Sequence, residues 1–379
     1  MRGALDAPGA KILTRLVREE WFLAISLITV GVFVLQGEAL SSKLASPGWL
    51  GLILFWLFTV VLGSALAVVR HADHLALRLG EPYGTLILTL SVTAIEVMAI
   101  SAVMMHGDNN PTLVRDTLIS VVMIILNGMV GLSLLIGAWR HREQQYNLQG
   151  ANTYLGVIIP LAVFSLVLPD FTVTTAGPTL SFAQGIFLAF ASAALYCTFL
   201  AMQTSRHRGY FTLGDSDDDG HAGWMKRTPR SIARHAILLA IYMLPVVILA
   251  EHLAKPVDYL IETLQAPTAL GGLIMALLVA TPEAIGAVRA AIANRLQRSV
   301  NIFLGSVLST IGLTVPAMLT ISYVTDRAIV LGAQNTDLVM LLLTLVVSIV
   351  TFASGRTNVL QGAVHLLLFT AYLLLIFQG

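Results

Sequence analysis

The chain has 379 residues, of which only 11% are charged (22 Lys plus Arg against 21 Asp plus Glu), with 56% apolar residues and a mean hydropathy of +0.82. A soluble domain carries about 25% charged residues, so an ordinary soluble enzyme and a disordered chain are both excluded. A net charge of +1 leaves no basic surplus for binding nucleic acid, and the single cysteine, Cys197, precludes a disulfide framework or a thiolate metal site.

A spanning helix needs about 20 mostly apolar residues. Eleven stretches qualify: 21–37, 48–69, 84–105, 114–138, 153–169, 180–202, 235–250, 270–292, 300–324, 336–354 and 359–377. They are apolar all round, as helices facing lipid on one side and protein on the other should be. They also lack the short alternating segments of a membrane β-barrel. The polar stretch before the first span, with no small-residue cleavage site after it, is not expected to be a signal peptide. The expected fold is therefore an all-α polytopic membrane protein of 11 transmembrane helices.

Positive charge marks cytoplasmic loops. With the N-terminus inside, Arg2, Lys11, Arg15, Arg18, Arg70, Arg78, Arg140, Arg142, Arg206, Arg208, Lys226, Arg227, Arg230, Arg234, Arg289, Arg295, Arg298 and Arg356 fall inside, which is 18 of 22. Lys43, Arg115, Lys255 and Arg327 fall outside. The expected orientation is N-terminus cytoplasmic and C-terminus outside. The long connection after the sixth helix divides the chain into an N-terminal segment and extra helix (1–45), a first five-helix repeat (46–202), a cytoplasmic loop (203–234) and a second five-helix repeat (235–379).

Of the acidic residues, 19 of 21 map to loops, termini or helix ends. Glu96 and Glu283 do not: they lie near the middle of the third and eighth helices. A charge at the bilayer centre costs about 2.5–3.5 kcal/mol on insertion scales, a cost that usually marks a site or pathway. Gly84-Thr-Leu-Ile-Leu-Thr-Leu-Ser-Val-Thr-Ala-Ile-Glu96 aligns without gaps to Gly271-Gly-Leu-Ile-Met-Ala-Leu-Leu-Val-Ala-Thr-Pro-Glu283, matching at six of thirteen positions. Gly131-Leu132-Ser133 similarly matches Gly312-Leu313-Thr314. With N-in topology the third helix runs outward and the eighth inward, which is the inverted-repeat plan of secondary transporters, with binding at the midplane.

The surrounding residues supply oxygen. Pro282 deprives carbonyls near Leu278 and Val279 of helical partners, and freed carbonyls at membrane depth need protein, water or an ion. Thr89, Ser91 and Thr93 offer hydroxyls in the first repeat, Asn127 lies on the fourth helix, and Asn301, Ser306 and Ser309 lie on the ninth. An all-oxygen donor set suits Ca²⁺, which takes about 6–8 oxygens, and also Na⁺. It does not suit zinc or copper. Two carboxylates can be neutralised by two protons or by one divalent ion, and either form crosses the low-dielectric layer more cheaply than the bare dianion. Exclusive occupancy with alternating access then gives antiport.

At these residues the chain resembles the cation/calcium exchanger superfamily, in its calcium/proton antiporter branch, which includes bacterial ChaA-type antiporters. The resemblance rests on His71-Ala-Asp-His-Leu-Ala, on Gly80-Glu-Pro-Tyr-Gly-Thr leading to Glu96, on Leu126-Asn-Gly-Met-Val-Gly-Leu-Ser, and on Ala280-Thr-Pro-Glu283 through Leu296-Gln-Arg-Ser-Val-Asn-Ile-Phe-Leu-Gly-Ser306. It implies ten core helices plus one N-terminal helix, two α-repeats, and exchange of a cation for protons at the paired glutamates. Many members of that branch carry Asn three residues before each glutamate, where this chain has Thr93 and Ala280. The expected site is Glu96, Glu283, Thr93, Ala280, Asn127, Ser306 and Ser309. The transported ions would be Ca²⁺ and H⁺, with Na⁺ or K⁺ exchange for H⁺ at the same site as the alternative, and no other cofactor is implied.

A primary pump is excluded by the lack of a phosphate loop Gly-x-x-x-x-Gly-Lys-[Ser/Thr] and of room for a nucleotide domain in the central loop, and titratable midplane carboxylates in an inverted repeat argue against a passive channel. Asp215-Ser-Asp-Asp-Asp-Gly220 fits half of an EF-hand loop, but Lys226 stands where the final Glu belongs, so a solvated acidic loop is expected. His71, Asp73 and His74 are expected on a cytoplasmic surface turn. Glu251 and Asp258 are expected on the outer side, where interface placement and lining an exit explain them equally well.

Overall fold

The computed structural model describes residues 20–80, 83–106, 110–213, 229–333 and 335–378; Asp215–Gly220 and Lys226 lie outside the described residues. Among these, eleven long helices carry nearly all the ordered backbone: α1 (Trp21–Ser41), α2 (Pro47–Leu79), α3 (Tyr83–His106), α4 (Leu113–His141), α5 (Leu148–Phe171), α6 (Phe182–Arg206), α7 (Ile232–Thr263), α8 (Ala269–Ile292), α9 (Leu296–Thr325), α10 (Asn335–Thr351) and α11 (Val359–Gln378). Ten are long and apolar enough to cross a membrane, and α10, with 17 residues, is the short one. Local chemistry sets the ends: Ser181 and Gln184 form a reciprocal capping box at the start of α6, and the Asn147 side chain caps α5. Gly80, at φ 69°, turns the chain after α2 in a conformation other residues rarely adopt.

Among the described residues, hydrogen bonds sort seven of the connections into two sets. On one side, Gln144 and Gln145 form a two-residue antiparallel bridge with Arg356 and Thr357. There the Gln144 amide also donates to Ala291 O and Asn294, Asn147 N donates to Gln297, and Asn301 donates to Phe211 O. On the other side, Val330 N donates to Pro111 O, Gly332 N to Pro178 O, and Arg327 to Met104 O. The first set joins the connections after α4, α6, α8 and α10, and the second joins those after α3, α5 and α9. That alternation requires α4, α5, α6, α9 and α10 each to cross from one side to the other, and it agrees with the charge count while owing nothing to it.

Helix packing repeats itself with the same symmetry. α2 and α7, the first helices of the two repeats, pack extensively on each other. α3 meets α7 as α8 meets α2, α3 meets α9 as α8 meets α4, and α11 meets α4 as α6 meets α9. α4 and α9 occupy the interior, with 78% and 72% of their apolar windows buried, whereas the α1 and α11 windows are 22% buried. The matched glycines Gly131 and Gly312 lie at equivalent crossings: a Cβ on Gly131 would sit 2.9 Å from the Leu366 backbone nitrogen of α11, and one on Gly312 would sit 3.2 Å from Tyr196 of α6. Small residues at crossings let membrane helices approach closely without a hydrophobic driving force. α1 stands outside the repeat, held by the Ser26–Ser64 hydrogen bond to α2 and by Phe33 against His252 of α7.

Two expectations change. α2, with 33 residues, extends about 50 Å at a rise of about 1.5 Å per residue, well beyond the roughly 30 Å hydrocarbon layer. It carries His71, Asp73 and His74 on its last turns instead of on a surface turn, and His71 is buried. Its Nδ1 lies 2.9 Å from Nδ1 of His235 on α7, while His74 stacks on the His235 ring at 4.7 Å. Apolar periodicity ends near Arg70, which is why the sequence signal stops there, but packing against α7 carries the helix on. Likewise α7 continues past Glu251 and Asp258 to a π-turn at Tyr259–Thr263, placing both on a helix.

Candidate functional site

Glu96 sits near the centre of α3 and Glu283 near the centre of α8. Glu96 is buried at 3% exposure, and its Oε2 accepts hydrogen bonds from Thr310 Oγ1 (3.0 Å) and Thr314 Oγ1 (2.9 Å), both on α9. Glu283 Oε2 accepts from the Ser306 hydroxyl, also on α9, and Ser309 Oγ donates to Ser306 O at 2.9 Å. The helices that carry the two carboxylates, α3 and α8, pack on each other and both pack on α9. Among the described residues, no basic side chain acts on either glutamate. Glu96 is buried and Glu283 half-buried, and withdrawing carboxylates from water without a fixed countercharge makes the bare dianion costly, a cost that protons or a mobile cation would relieve.

Several oxygens at the site have unused capacity. Glu96 Oε1 and Thr93 Oγ1 are buried without a hydrogen-bond partner, and Ser91 is buried on the same helix. Buried polar atoms are normally satisfied, and a carboxylate oxygen with a hydroxyl three residues before it on one helix is a fitting pair of cation ligands. In the second repeat the equivalent of Thr93 is Ala280, buried and without a side-chain oxygen. α8 nevertheless stays helical through Pro282, and the Thr281 hydroxyl turns back to Leu277 O. The first repeat therefore offers the richer oxygen shell.

Both interior helices open into π-turns near midplane: Ile124–Met129 on α4 and Thr310–Thr314 on α9. Such turns recur at functional sites because they displace side chains from the regular helical register. On α9 the turn, with Ser306 one helical step before it, aligns Ser306, Thr310 and Thr314 along one face toward the carboxylates. On α4 the side chain of Asn127 points elsewhere: its amide donates to Thr344 on α10 (2.8 Å) and accepts from His365 on α11 (3.2 Å). Thus Glu96, Glu283, Thr93, Ser306 and Ser309 fall on helices that converge at the site, whereas Asn127 is engaged behind it. Asn301 is at the end of α9, bonded to Phe211 and Gln297. Thr310 and Thr314 escaped the sequence reading, although Thr314 belongs to the Gly-Leu-Thr match and Ser306, Thr310 and Thr314 follow an i, i+4, i+8 spacing.

Close helix contact fixes the carboxylates in place. A Cβ on Gly272, in the first turn of α8, would come within 2.5 Å of the Asp116 carbonyl carbon of α4, and one on Gly84 would come within 2.7 Å of Ala76 O. Arg115 and Asp116 form a buried ion pair at the start of α4, 2.8 Å apart, with Arg115 also donating to Gly332 O. Among the described residues, no group of three or more His, Cys, Asp or Glu side chains is arranged to hold a metal ion, so a cation here would rely on the two carboxylates together with hydroxyl and carbonyl oxygens.

The chain is 44% identical over 321 residues to the sodium-potassium/proton antiporter ChaA of Escherichia coli (strain K12), covering 84% of this chain and 86% of that protein. It is 20% identical over 337 residues to the Ca²⁺/H⁺ antiporter ChaA of Bacillus subtilis (strain 168), covering 88% and 94%. The fold superposes on the structure of native YfkE with a TM-score of 0.71 at 19% identity, covering 94% of this chain and 100% of that one. For the crystal structure of the H⁺/Ca²⁺ exchanger CAX the TM-score is 0.62 at 14% identity, covering 94% and 88%. The model of the sodium/calcium exchanger protein family matches residues 49–205 and 234–378, both five-helix repeats and neither α1 nor the central loop. The chain belongs to the sodium/calcium exchanger protein family.

Proposed function

We propose that the chain is a secondary active cation/proton antiporter that exchanges Ca²⁺ for H⁺ by alternating access, with Glu96 and Glu283 taking the cation or protons in turn. One observation carries this reading: two carboxylates from inverted repeats, Glu96 buried and Glu283 half-buried, on helices that pack on each other, each held by hydroxyls and neither paired with a basic side chain among the described residues. The site is neutral with two protons or with one divalent ion, and only neutral forms cross the membrane interior cheaply, so net cation movement is tied to counter-movement of protons. Glu96, Glu283, Thr93 and Ser306 supply the side-chain oxygens, and backbone carbonyls or water complete the shell. The expected stoichiometry is at least two H⁺ per Ca²⁺.

A second reading, Na⁺ or K⁺ exchange for H⁺ at the same site, is favoured by Ala280, which removes one oxygen from the shell that Ca²⁺ would fill, and by the name of the 44% identical relative. The discriminating experiment is dequenching of a pH dye in proteoliposomes on addition of Ca²⁺, Na⁺ or K⁺ across a range of pH. Dequenching by Ca²⁺ at lower concentration than by either monovalent ion is the expected result, and the reverse order would establish the second reading. Loss of all three responses in wild-type protein would remove both.

The proposed location is a bacterial inner membrane with the N-terminus inside and the C-terminus outside, a reading that the positive-charge bias supports. In a Cys197→Ser background, Glu143→Cys should be shielded from an impermeant thiol reagent in whole cells and Thr174→Cys labelled. The opposite pattern inverts the topology.

A further inference from the structure

His365 lies inside the membrane span of α11, fully buried, and the exchange reaction above does not use it. An ionisable residue at that depth is by default functional. Its neighbourhood determines its protonation. Asn127 Nδ2 donates to Thr344 Oγ1, so the Asn127 Oδ1 is left as an acceptor, and the ring nitrogen facing it at 3.2 Å, Nδ1, must carry the hydrogen. The other ring nitrogen, Nε2, lies 2.9 Å from Thr351 Oγ1 and accepts from it. Every polar atom in the set is then satisfied with the imidazole neutral, and a second ring proton would remove the acceptor for Thr351.

Asn127 sits within the π-turn of α4. That turn packs on α8 and α9 at the cation site on one side and on α10 and α11 on the other. The Asn127 side chain is pinned from three directions: Thr344, His365, and the sulfur of Met123 at 3.4 Å. A π-turn has poorer internal hydrogen bonding than the helix around it, so its position depends on such external contacts.

We infer that His365 is a positioning residue for the cation site: acting through Asn127 as a neutral hydrogen-bond donor, it holds the π-turn of α4 against the two helices on which Glu283 and its hydroxyl partner Ser306 ride. It carries no transported proton. This rests on the reading of Glu96 and Glu283 as the exchange site. Partners behind the residues that hold a metal typically change affinity by about 10–100-fold when removed, and the expectation here is the lower end of that range.

The test is cation-driven proton flux in proteoliposomes, with half-saturating cation concentration, maximal rate and pH profile measured separately, using Ca²⁺ and Na⁺ as probes. His365→Leu should raise the half-saturating concentration on the order of tenfold with a smaller change in maximal rate. His365→Asn, which keeps a donor at the δ position, should restore it to within about threefold and leave the pH profile unshifted. Thr351→Val, which removes only the distal partner and keeps the ring, should shift affinity in the same direction by less, and it serves as the readout if His365→Leu does not fold. Equal loss in His365→Leu and His365→Asn, or a displaced pH profile in His365→Asn, would overturn the inference in favour of a titrating role; wild-type affinity in both His365→Leu and Thr351→Val would overturn it outright. Glu96→Gln in the same preparation separates the two levels: continued exchange there removes the underlying reading, whereas loss of exchange there with wild-type behaviour of His365→Leu removes only the positioning role.

Discussion

The hydroxyls of Thr310 and Thr314 both donate to one carboxylate oxygen of Glu96, at 3.0 and 2.9 Å, and their removal gives the sharpest quantitative expectation. A hydrogen bond to a charged group contributes about 1.5–3 kcal/mol. Those bonds favour the ionised carboxylate, the form that accepts a cation, over the protonated one. Thr314→Val keeps the shape of the side chain and deletes the donor, so protons should outcompete the cation more readily. Every 1.4 kcal/mol is about tenfold in affinity, so the half-saturating cation concentration at fixed pH should rise by roughly 10- to 100-fold. The penalty should shrink as pH is raised and the proton becomes a weaker competitor. The assay is dye dequenching in proteoliposomes over a cation series at several pH values, with Thr314→Ser, which retains the donor, behaving as wild type. A Thr314→Val protein with unchanged half-saturation at every pH would refute the role given to these hydroxyls.

Three further outcomes follow from the packing and the charges. Gly272→Ala puts a Cβ against the Asp116 backbone and should lower thermal stability in detergent by about 1–3 kcal/mol, as overpacking does, with loss of exchange because α8 carries Glu283; a tolerated Gly272→Ala would show that the α8–α4 crossing is not tight. Asp116→Asn removes the ion-pair partner of buried Arg115 while Asp170 and Asp337 stay within its electrostatic reach, and it should lower stability by about 1–3 kcal/mol in a thermal-shift measurement; an unchanged melting temperature would show that the pair contributes nothing. Ala280→Ser restores a side-chain oxygen to the second repeat and should improve Ca²⁺ half-saturation relative to Na⁺; no change in the ratio of the two would mean that position 280 does not face the ion.

The part of the site that was legible in the sequence was legible for energetic reasons. A carboxylate at mid-span is expensive, so Glu96 and Glu283 stand out against a background nearly free of charge, and a gapless repeat around them identifies the inverted pairing. The helix count was equally readable, because each span must be apolar over a fixed length. Side-chain direction was not. α4 is buried on nearly every face, so its periodicity does not reveal that Asn127 turns toward His365 and away from the carboxylates. Thr310 and Thr314 are ordinary residues for a membrane helix, and that they serve the glutamate of the opposite repeat is a property of packing between α3 and α9. The buried His71–His235 contact was hidden for a related reason: hydropathy marks where a helix leaves the lipid, and α2 continues beyond that point on contacts with α7.

The most direct test of exchange at the paired glutamates is proton release on cation binding by the purified protein in lightly buffered detergent solution. If protons and cation compete for the same two carboxylates, saturating Ca²⁺ should release about two protons per protein at a pH where both carboxyl groups are protonated in the cation-free protein, and fewer as the pH rises, and the Glu96→Gln, Glu283→Gln double variant should release none. Cation binding with no proton release from the wild-type protein would contradict the mechanism.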